Sequence, residues 1–197
     1  MANIVFIVGM PASGKTHLAR EIGKALGYPV LEKDELKEEM FDILGFKNYS
    51  EKTGLDLAAT HVVMRAADCI LSAGQSLILV NNFRDTTKHL ATELLEKHDC
   101  KCVTVFLGGD GDVFYNRYVA RDRAHSRHLG HVLQDHYPPF PGECLDHDMT
   151  RDEFATKFEK QGMDKFTLPG GRINVDATWP EKIDTGAVIE QIKSLLK

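Results

Sequence analysis

Hydrophobic positions along the chain follow two alternating patterns. Short, mainly apolar runs are separated by longer segments in which apolar residues recur every three or four positions. The short runs are typical of buried parallel strands, and the longer segments are typical of helices that cover such strands. The pattern predicts strands at residues 2–8, 28–31, 76–81, 101–107 and 172–176.

Helical periodicity fills the intervals between the predicted strands. The predicted helices cover residues 15–26, a segment ending before Gly45, and residues 52–73, 86–97, 113 to about 133, about 151–160, and the C-terminal end. Because strands alternate with helices throughout, residues 1–197 are predicted to form one α/β domain with a parallel sheet.

The first predicted strand leads into a glycine-rich loop that opens a helix. The loop reads Gly9-Met10-Pro11-Ala12-Ser13-Gly14-Lys15-Thr16 and fits G-x-x-x-x-G-K-[ST] at every fixed position. Glycines let successive N–H groups point at one anion, and the helix adds the positive end of its dipole. The loop therefore predicts a phosphate site in which Lys15 reaches the β- and γ-phosphates and Thr16 binds Mg²⁺.

Charge and composition exclude several other classes of protein. The 197 residues carry 29 acidic against 24 basic side chains, a net charge of −5, which disfavours a general binder of nucleic acid or of membrane surfaces. The four cysteines lack the paired spacing of a zinc site. With no apolar run near the length of a membrane span and no leader pattern, a cytoplasmic protein is expected.

Two carboxylates follow the second predicted strand. Ligands of open parallel sheets bind beyond the carboxyl ends of the strands, so Asp34 is expected near the bound phosphate. There it can accept a proton from an acceptor hydroxyl or orient that hydroxyl, and Glu32 or Asp34 can contribute to the Mg²⁺ shell. Asp34 also suits the N-cap of the following helix, and the two roles are compatible.

The third predicted strand ends in asparagines where many P-loop proteins carry an aspartate for the metal. Asn81 and Asn82 supply no charge, so the metal shell is left in doubt. Asn82 and Arg84 are predicted to contact the acceptor. A solvated loop position is the alternative for Arg84.

A cluster of arginines follows the fourth predicted strand. Arg117, Arg121, Arg123 and Arg127 lie within eleven residues of an acidic chain. Arginines that close over transferring phosphate stabilise the charge that develops on its oxygens. The cluster predicts a lid within residues 113–170, and a solvated basic helix is the alternative.

Histidines and a tryptophan add weaker signals. His125, His128, His131 and His136 have no matching cysteine or carboxylate pair and are expected on the lid or near the acceptor rather than on a metal. Trp179 follows the last predicted strand, where it either frames an adenine or packs against the last helix.

In this order the motifs resemble the small P-loop kinases, and most closely the zeta-toxin, chloramphenicol phosphotransferase and polynucleotide-kinase-like group. The resemblance implies a three-layer P-loop nucleoside triphosphate hydrolase fold with five parallel strands in the order 2-3-1-4-5 and a helical lid. It implies ATP and Mg²⁺ as cofactors and Lys15, Asp34, Arg117 and Arg121 as catalytic residues, with Arg123 in the lid.

The resemblance favours a kinase that moves the γ-phosphoryl group of ATP to a hydroxyl of a small molecule. A polynucleotide 5′-hydroxyl kinase is a second hypothesis, which the net charge disfavours. A regulatory ATPase without an acceptor is a third. The sequence leaves the acceptor and the oligomeric state open, a homodimer included.

Overall fold

The structure is a computed structural model that describes residues 2–83, 87–143 and 149–197. The strands are β1 (Asn3–Gly9), β2 (Val30–Glu32), β3 (Leu77–Val80), β4 (Lys101–Gly108) and β5 (Gly171–Asp176). The helices are α1 (Lys15–Leu26), α2 (Lys33–Leu44), α3 (Tyr49–Ser72), α4 (Lys88–His98), α5 (Gly111–Arg123), α6 (Leu129–Val132), α7 (Arg151–Glu159) and α8 (Thr185–Leu195). Within these ranges, none of the helices has the length and apolar character needed to span a bilayer.

All five strands are parallel and lie in the order β2-β3-β1-β4-β5, which confirms the predicted α/β fold and its strand order. Ile7 of β1 lies beside Val80 of β3, which in turn lies beside Glu32 of β2. The carboxyl ends of these three strands therefore meet at one edge of the sheet. The glycine-rich loop leaves β1 at that same edge.

The central strand is buried on both faces, as its continuous apolar run predicts. Val5 and Ile7 belong to a core formed with α1, α5, α7 and α8. Ile4, Phe6 and Val8 face the opposite side, in a core formed with α3 and α4. Each such side chain contributes about 1.5–3 kcal/mol on burial, so the two cores hold the sheet edge in a fixed place.

Two predicted helices have different limits in the structure. Helix α3 begins at Tyr49 rather than at 52, because Asn48 caps it by accepting a hydrogen bond from the Glu51 N–H. The prediction of one continuous helix from 113 to about 133 is wrong. Helix α5 ends at Arg123, and the rest of this range contains only the short helix α6. His125, with a φ of 47°, lies in the left-handed region and turns the chain away from the helix axis.

Gly9, at the end of β1, should tolerate no side chain. Its φ is 153°, and a Cβ there would lie 2.3 Å from the carbonyl oxygen of Leu107 on β4. Gly9→Ala is expected to lower the free energy of unfolding by about 2–4 kcal/mol, measured by urea denaturation. Gly74→Ala is the matched control, since its φ of 74° carries strain but no atom lies within 4 Å. An equal loss in both variants would show that the contact with Leu107 has no effect.

Candidate active site

The glycine-rich loop folds back tightly before α1 begins. Ser13 donates its N–H to the carbonyl of Met10 at 3.3 Å, and Gly14 caps α1 with a left-handed φ of 86°. Ala12 also has a positive φ, 61°, which is unusual for a residue with a side chain and marks local strain. The Ser13 hydroxyl is buried and has no hydrogen-bond partner among the described residues. The loop and the first turn of α1 thus have the backbone form that binds phosphate.

Lys15 lies across this loop. Its ammonium donates to the carbonyls of Gly9 at 3.0 Å and Met10 at 2.8 Å. Burial lowers the pKa of Lys15 to about 7, while the nearby Asp34 carboxylate acts in the opposite direction. A bound anion would stabilise the charged form of this lysine, which is the property expected of a phosphate ligand.

Thr16 and Glu32 lie together beside the loop. The Thr16 hydroxyl donates to Glu32 Oε1, and the guanidinium of Arg20 lies 3.4 Å from Oε2 of the same carboxylate. Burial raises the pKa of Glu32, although the hydrogen bond from Thr16 opposes that change. A hydroxyl and a buried carboxylate at the end of a strand are oxygen ligands of the kind that Mg²⁺ prefers. The described part of the chain contains no group of three or more metal-ligating side chains, so this pair would need phosphate oxygens and water to complete the shell.

Asp34 is not the N-cap of α2, which corrects that interpretation. Glu32 is the N-cap residue, and Asp34 lies in the first helical turn. Its carboxylate lies 3.0 Å from the ammonium of Lys37 and 3.8 Å from that of Lys33. Burial alone would raise the pKa of Asp34, but these two ammonium groups outweigh it and hold the pKa well below its usual range. The carboxylate is therefore ionised throughout the neutral range.

The same two lysines also bind Asp56, from α3. Lys33 Nζ lies 2.8 Å and Lys37 Nζ lies 2.9 Å from Asp56 Oδ1. Lys33, Lys37, Asp34 and Asp56 thus form a closed set of two cations and two anions, which we call the four-charge network. It joins α2 to α3 directly behind Asp34, and no local sequence pattern predicts it.

Two cavities meet at Asp34. The P-loop cavity, of about 330 Å³, is lined by the loop residues with Thr16, Arg20 and Glu32. A second cavity, of about 310 Å³, extends between α2, α3 and α7. The residues that line both cavities are Pro11, Asp34, Asn81, Asn82 and Arg127.

Asn81 and Asn82 lie at this boundary, and the contact of Asn82 with the acceptor stays a prediction. The Oδ1 atom of Asn82 is buried and has no hydrogen-bond partner among the described residues, which leaves it able to accept a hydrogen bond from a hydroxyl. Arg84, the other predicted acceptor contact, lies outside the described residues.

The arginine cluster is divided by the end of α5. Arg121 and Arg127 line the P-loop cavity, and Tyr118 holds Arg127 by accepting a hydrogen bond of 3.1 Å. Burial lowers the pKa of Arg121, whose Nε has no hydrogen-bond partner in the described part of the chain. Arg127 belongs to the predicted lid cluster without an individual role, and the structure adds it to the site residues.

Arg117 and Arg123 do not line either cavity. The guanidinium of Arg117 donates to the carbonyls of Ala177 and Thr178, in the loop after β5. Trp179 follows in that loop, half exposed, with the ammonium of Lys182 at 5.8 Å from its ring. Arg123 is exposed at the end of α5. The structure therefore brings Arg121 rather than Arg117 to the phosphate-binding loop, and adenine binding at Trp179 stays a prediction.

Three of the four predicted histidines contact carboxylates in the structure, and His125 is exposed in the turn after α5. His131 contacts Glu38 at 2.8 Å, His128 contacts Asp42 at 3.1 Å, and His136 contacts Glu143 at 2.8 Å. The first two contacts fasten the segment that carries α6 onto α2. Burial lowers the pKa of His131 to about 4, so it is neutral in the neutral range.

Comparison with known proteins agrees with this geometry. Shikimate kinase of Clostridium botulinum strain ATCC 19397 / Type A is 35% identical over 89 residues, which make up 41% of this chain and 50% of the relative. The chain thus spans about half the length of the curated relatives it matches.

Solved structures match over nearly the whole chain. A candidate kinase of Chloroflexus aurantiacus J-10-fl is 27% identical with a TM-score of 0.82, and 100% of this chain and 99% of that chain are covered. Gluconokinase of Sinorhizobium meliloti 1021 is 16% identical with a TM-score of 0.55, covering 99% and 91%. Kti12 of Chaetomium thermophilum, in complex with ADP-AlF3, is 18% identical with a TM-score of 0.60, covering 98% and 99%. The last two show similarity of fold alone.

The family assignment rests on a longer match. Residues 4–138 fit the model of the AAA_33 family, described as an AAA domain. This range includes the glycine-rich loop, Asp34, the asparagines and the arginine cluster. Because the family model covers more than half of the chain, this protein belongs to the AAA_33 family and has the P-loop kinase fold.

Proposed function

We propose that this protein transfers the γ-phosphoryl group of ATP to a hydroxyl group of a small molecule. The observation that carries the proposal is the position of Asp34, whose carboxylate lines both the P-loop cavity and the second cavity. A group at that boundary can contact a hydroxyl in the second cavity that faces the γ-phosphate in the first. The similarity to shikimate kinase supports the same class of reaction.

The chemistry follows from the residues at the boundary. The acceptor oxygen forms a bond to the γ-phosphorus while the bond from that phosphorus to the β–γ bridging oxygen breaks, and ADP leaves. The hydroxyl proton passes to the Asp34 carboxylate and then to solvent. Because the pKa of Asp34 is held low, its main effect is to orient the hydroxyl, which suits a loose transition state that needs proton removal only late.

The remaining roles fall to cations around the γ-phosphate. Lys15, the loop N–H groups, Arg121 and Arg127 bind the phosphate oxygens and stabilise the charge that they gain. Thr16 and Glu32 would hold Mg²⁺, which when bound neutralises charge on the β- and γ-phosphates. A carboxylate from β2 thus replaces the aspartate that β3 lacks.

The second cavity favours a small acceptor. Its volume of about 310 Å³ is at the lower end of the range for sites that take metabolites. A polynucleotide would need a row of exposed cations, and the net charge of −5 disfavours such a surface. The resemblance to the zeta-toxin and chloramphenicol phosphotransferase group stays a prediction.

The test is a survey of acceptors. The purified protein is incubated with Mg²⁺, ATP and single hydroxyl compounds, and products are identified by mass spectrometry alongside ADP release. A phosphorylated product with stoichiometric ADP is expected for at least one compound. Steady ATP hydrolysis without any phosphorylated product would favour the regulatory ATPase and overturn the kinase proposal.

Glu32→Gln tests the metal site. The amide keeps the shape of the side chain but loses its charge, so the Mg²⁺ concentration for half-maximal activity should rise by at least about tenfold, since loss of an outer-shell partner alone typically costs about 10–100-fold in metal affinity. Glu21→Gln, at an exposed position on α1, is the matched control. An unchanged Mg²⁺ dependence in Glu32→Gln would exclude this carboxylate from the metal shell.

A further inference from the structure

The charges that line the second cavity do not balance. Its described lining contains five cations and two anions, which are Lys33, Lys37, Lys52, Arg127, Lys157, Asp34 and Asp56. The four-charge network cancels two of each sign. The other three lining cations are Lys52, Arg127 and Lys157, of which Arg127 pairs with Asp122 outside the lining. A half-buried cation such as Lys52 attracts an anion where no carboxylate faces it.

The three remaining cations differ in their surroundings. Arg127 has the buried Asp122 at 3.6 Å behind it and faces the P-loop cavity, so phosphate binding accounts for it. Lys157 lies on α7 at the rim, and Lys52 lies on the first turns of α3. Lys52 is therefore the half-buried cation that belongs to the second cavity alone.

Lys52 is held in place by neutral groups. Its ammonium donates to the carbonyl oxygens of His131 at 3.3 Å and of Leu133, and it lies 5.6 Å from the centre of the Phe46 ring. No carboxylate in the described ranges lies within ion-pair distance of it. Burial lowers the pKa of Lys52 to about 7, and repulsion from Lys37, Arg127 and Lys157 acts in the same direction. A cation in this setting is stabilised by an anionic ligand.

Lys52 and Asp34 line the same cavity from different helices, and the four-charge network joins those helices. Lys37 joins Asp34 to Asp56, with distances of 3.0 Å and 2.9 Å. Lys52 precedes Asp56 by four residues on α3, so the two side chains share a face about one helical turn apart. The cavity therefore presents both the carboxylate that orients a hydroxyl and a separate cation.

We propose that the acceptor is a small hydroxylated acid whose carboxylate or phosphate group binds Lys52 while one of its hydroxyls lies at Asp34. This inference rests on the proposed function and adds the chemical class of the substrate. Lys52 would then be a specificity residue that fixes which hydroxyl of the acceptor faces ATP.

The test compares acids with matched neutral compounds. D-gluconate and quinate are assayed beside their primary amides, and glycerol 3-phosphate and sorbitol 6-phosphate beside glycerol and sorbitol. With wild-type protein, kcat/KM for at least one acid should be about 10–100-fold higher than kcat/KM for its neutral counterpart. A difference of this size corresponds to one charge-assisted hydrogen bond. The two sets of pairs show whether a carboxylate or a phosphate is preferred.

Variants then assign the preference to Lys52. Lys52→Met should raise KM for the preferred acid by about 10–100-fold. The KM for the matched neutral compound should stay the same. Lys52→Arg, which keeps the charge, should retain most of the preference. Lys47→Met removes the same charge from an exposed position just before α3 and is the matched control. Thermal denaturation of each variant separates a loss of folding from a loss of binding.

The outcomes separate the two proposals. If neutral alcohols are phosphorylated as well as the acids, or if Lys52→Met keeps the preference for acids, the assignment of an anionic acceptor is wrong and the kinase proposal stands. If ATP is hydrolysed and no compound of either kind is phosphorylated, both proposals fail. The comparison with wild-type protein decides the class of acceptor even where Lys52→Met does not fold.

Discussion

Asp34→Asn should slow phosphoryl transfer by about 10²–10⁴-fold, the usual contribution of a positioned acid–base group. The amide matches the carboxylate in shape but accepts no proton and carries no charge. It also leaves Lys33 and Lys37 with one carboxylate, Asp56, in place of two. The affinity for ATP should change little, because the loop and Lys15 are intact. Single-turnover transfer and titration with an ATP analogue measure the two quantities separately.

A control is needed because Asp34 belongs to the four-charge network. Asp56→Asn removes the other carboxylate of the network but lies outside the P-loop cavity. If Asp34 acts on the hydroxyl, transfer should be much slower in Asp34→Asn than in Asp56→Asn. Equal effects in the two variants would reduce Asp34 to a partner of the lysines.

Replacement of Arg121 or Arg127 with alanine should lower kcat by about 10²–10³-fold each. Both side chains line the P-loop cavity, and the energetic value of such cations lies in the charge that develops on the transferring phosphoryl group. KM for ATP should therefore change much less than kcat. Steady-state kinetics with the acceptor at saturation measures both.

Arg151→Ala is the matched control for the arginines. Arg151 is exposed at the start of α7, where it pairs with Asp112. Its removal should leave kcat unchanged. A loss of kcat in Arg151→Ala equal to that in Arg121→Ala would show that stability, rather than phosphate binding, is being measured.

Arg117→Ala should instead lower the free energy of unfolding by about 1 kcal/mol for each hydrogen bond lost to the carbonyls of Ala177 and Thr178.

Much of the fold could be predicted because it depends on local patterns. The apolar run before Gly9 and the loop up to Thr16 fix a strand, a turn and a helix by backbone geometry alone. Parallel pairing then brings the end of β2 beside that loop, so the position of Glu32 and Asp34 follows from topology.

The parts that could not be predicted depend on contacts between distant segments. Asp56 lies on a different helix from Lys33 and Lys37, and nothing in the local sequence of α3 indicates that it binds them. The end of α5 at Arg123 was missed because no glycine or proline marks it, and the left-handed turn falls on His125. Arg127 follows that turn and lines the P-loop cavity together with Arg121, which precedes it.

The four-charge network has a consequence for how such a site changes during evolution. Replacing any one of Lys33, Lys37, Asp34 or Asp56 alone leaves an odd charge in a partly buried place, whereas losing one cation together with one anion preserves neutrality. Among homologues, substitutions at these four positions are therefore expected to occur in pairs that remove one cation and one anion together. New acceptor specificities would then arise more readily at Lys52, which stands outside the network and can vary on its own.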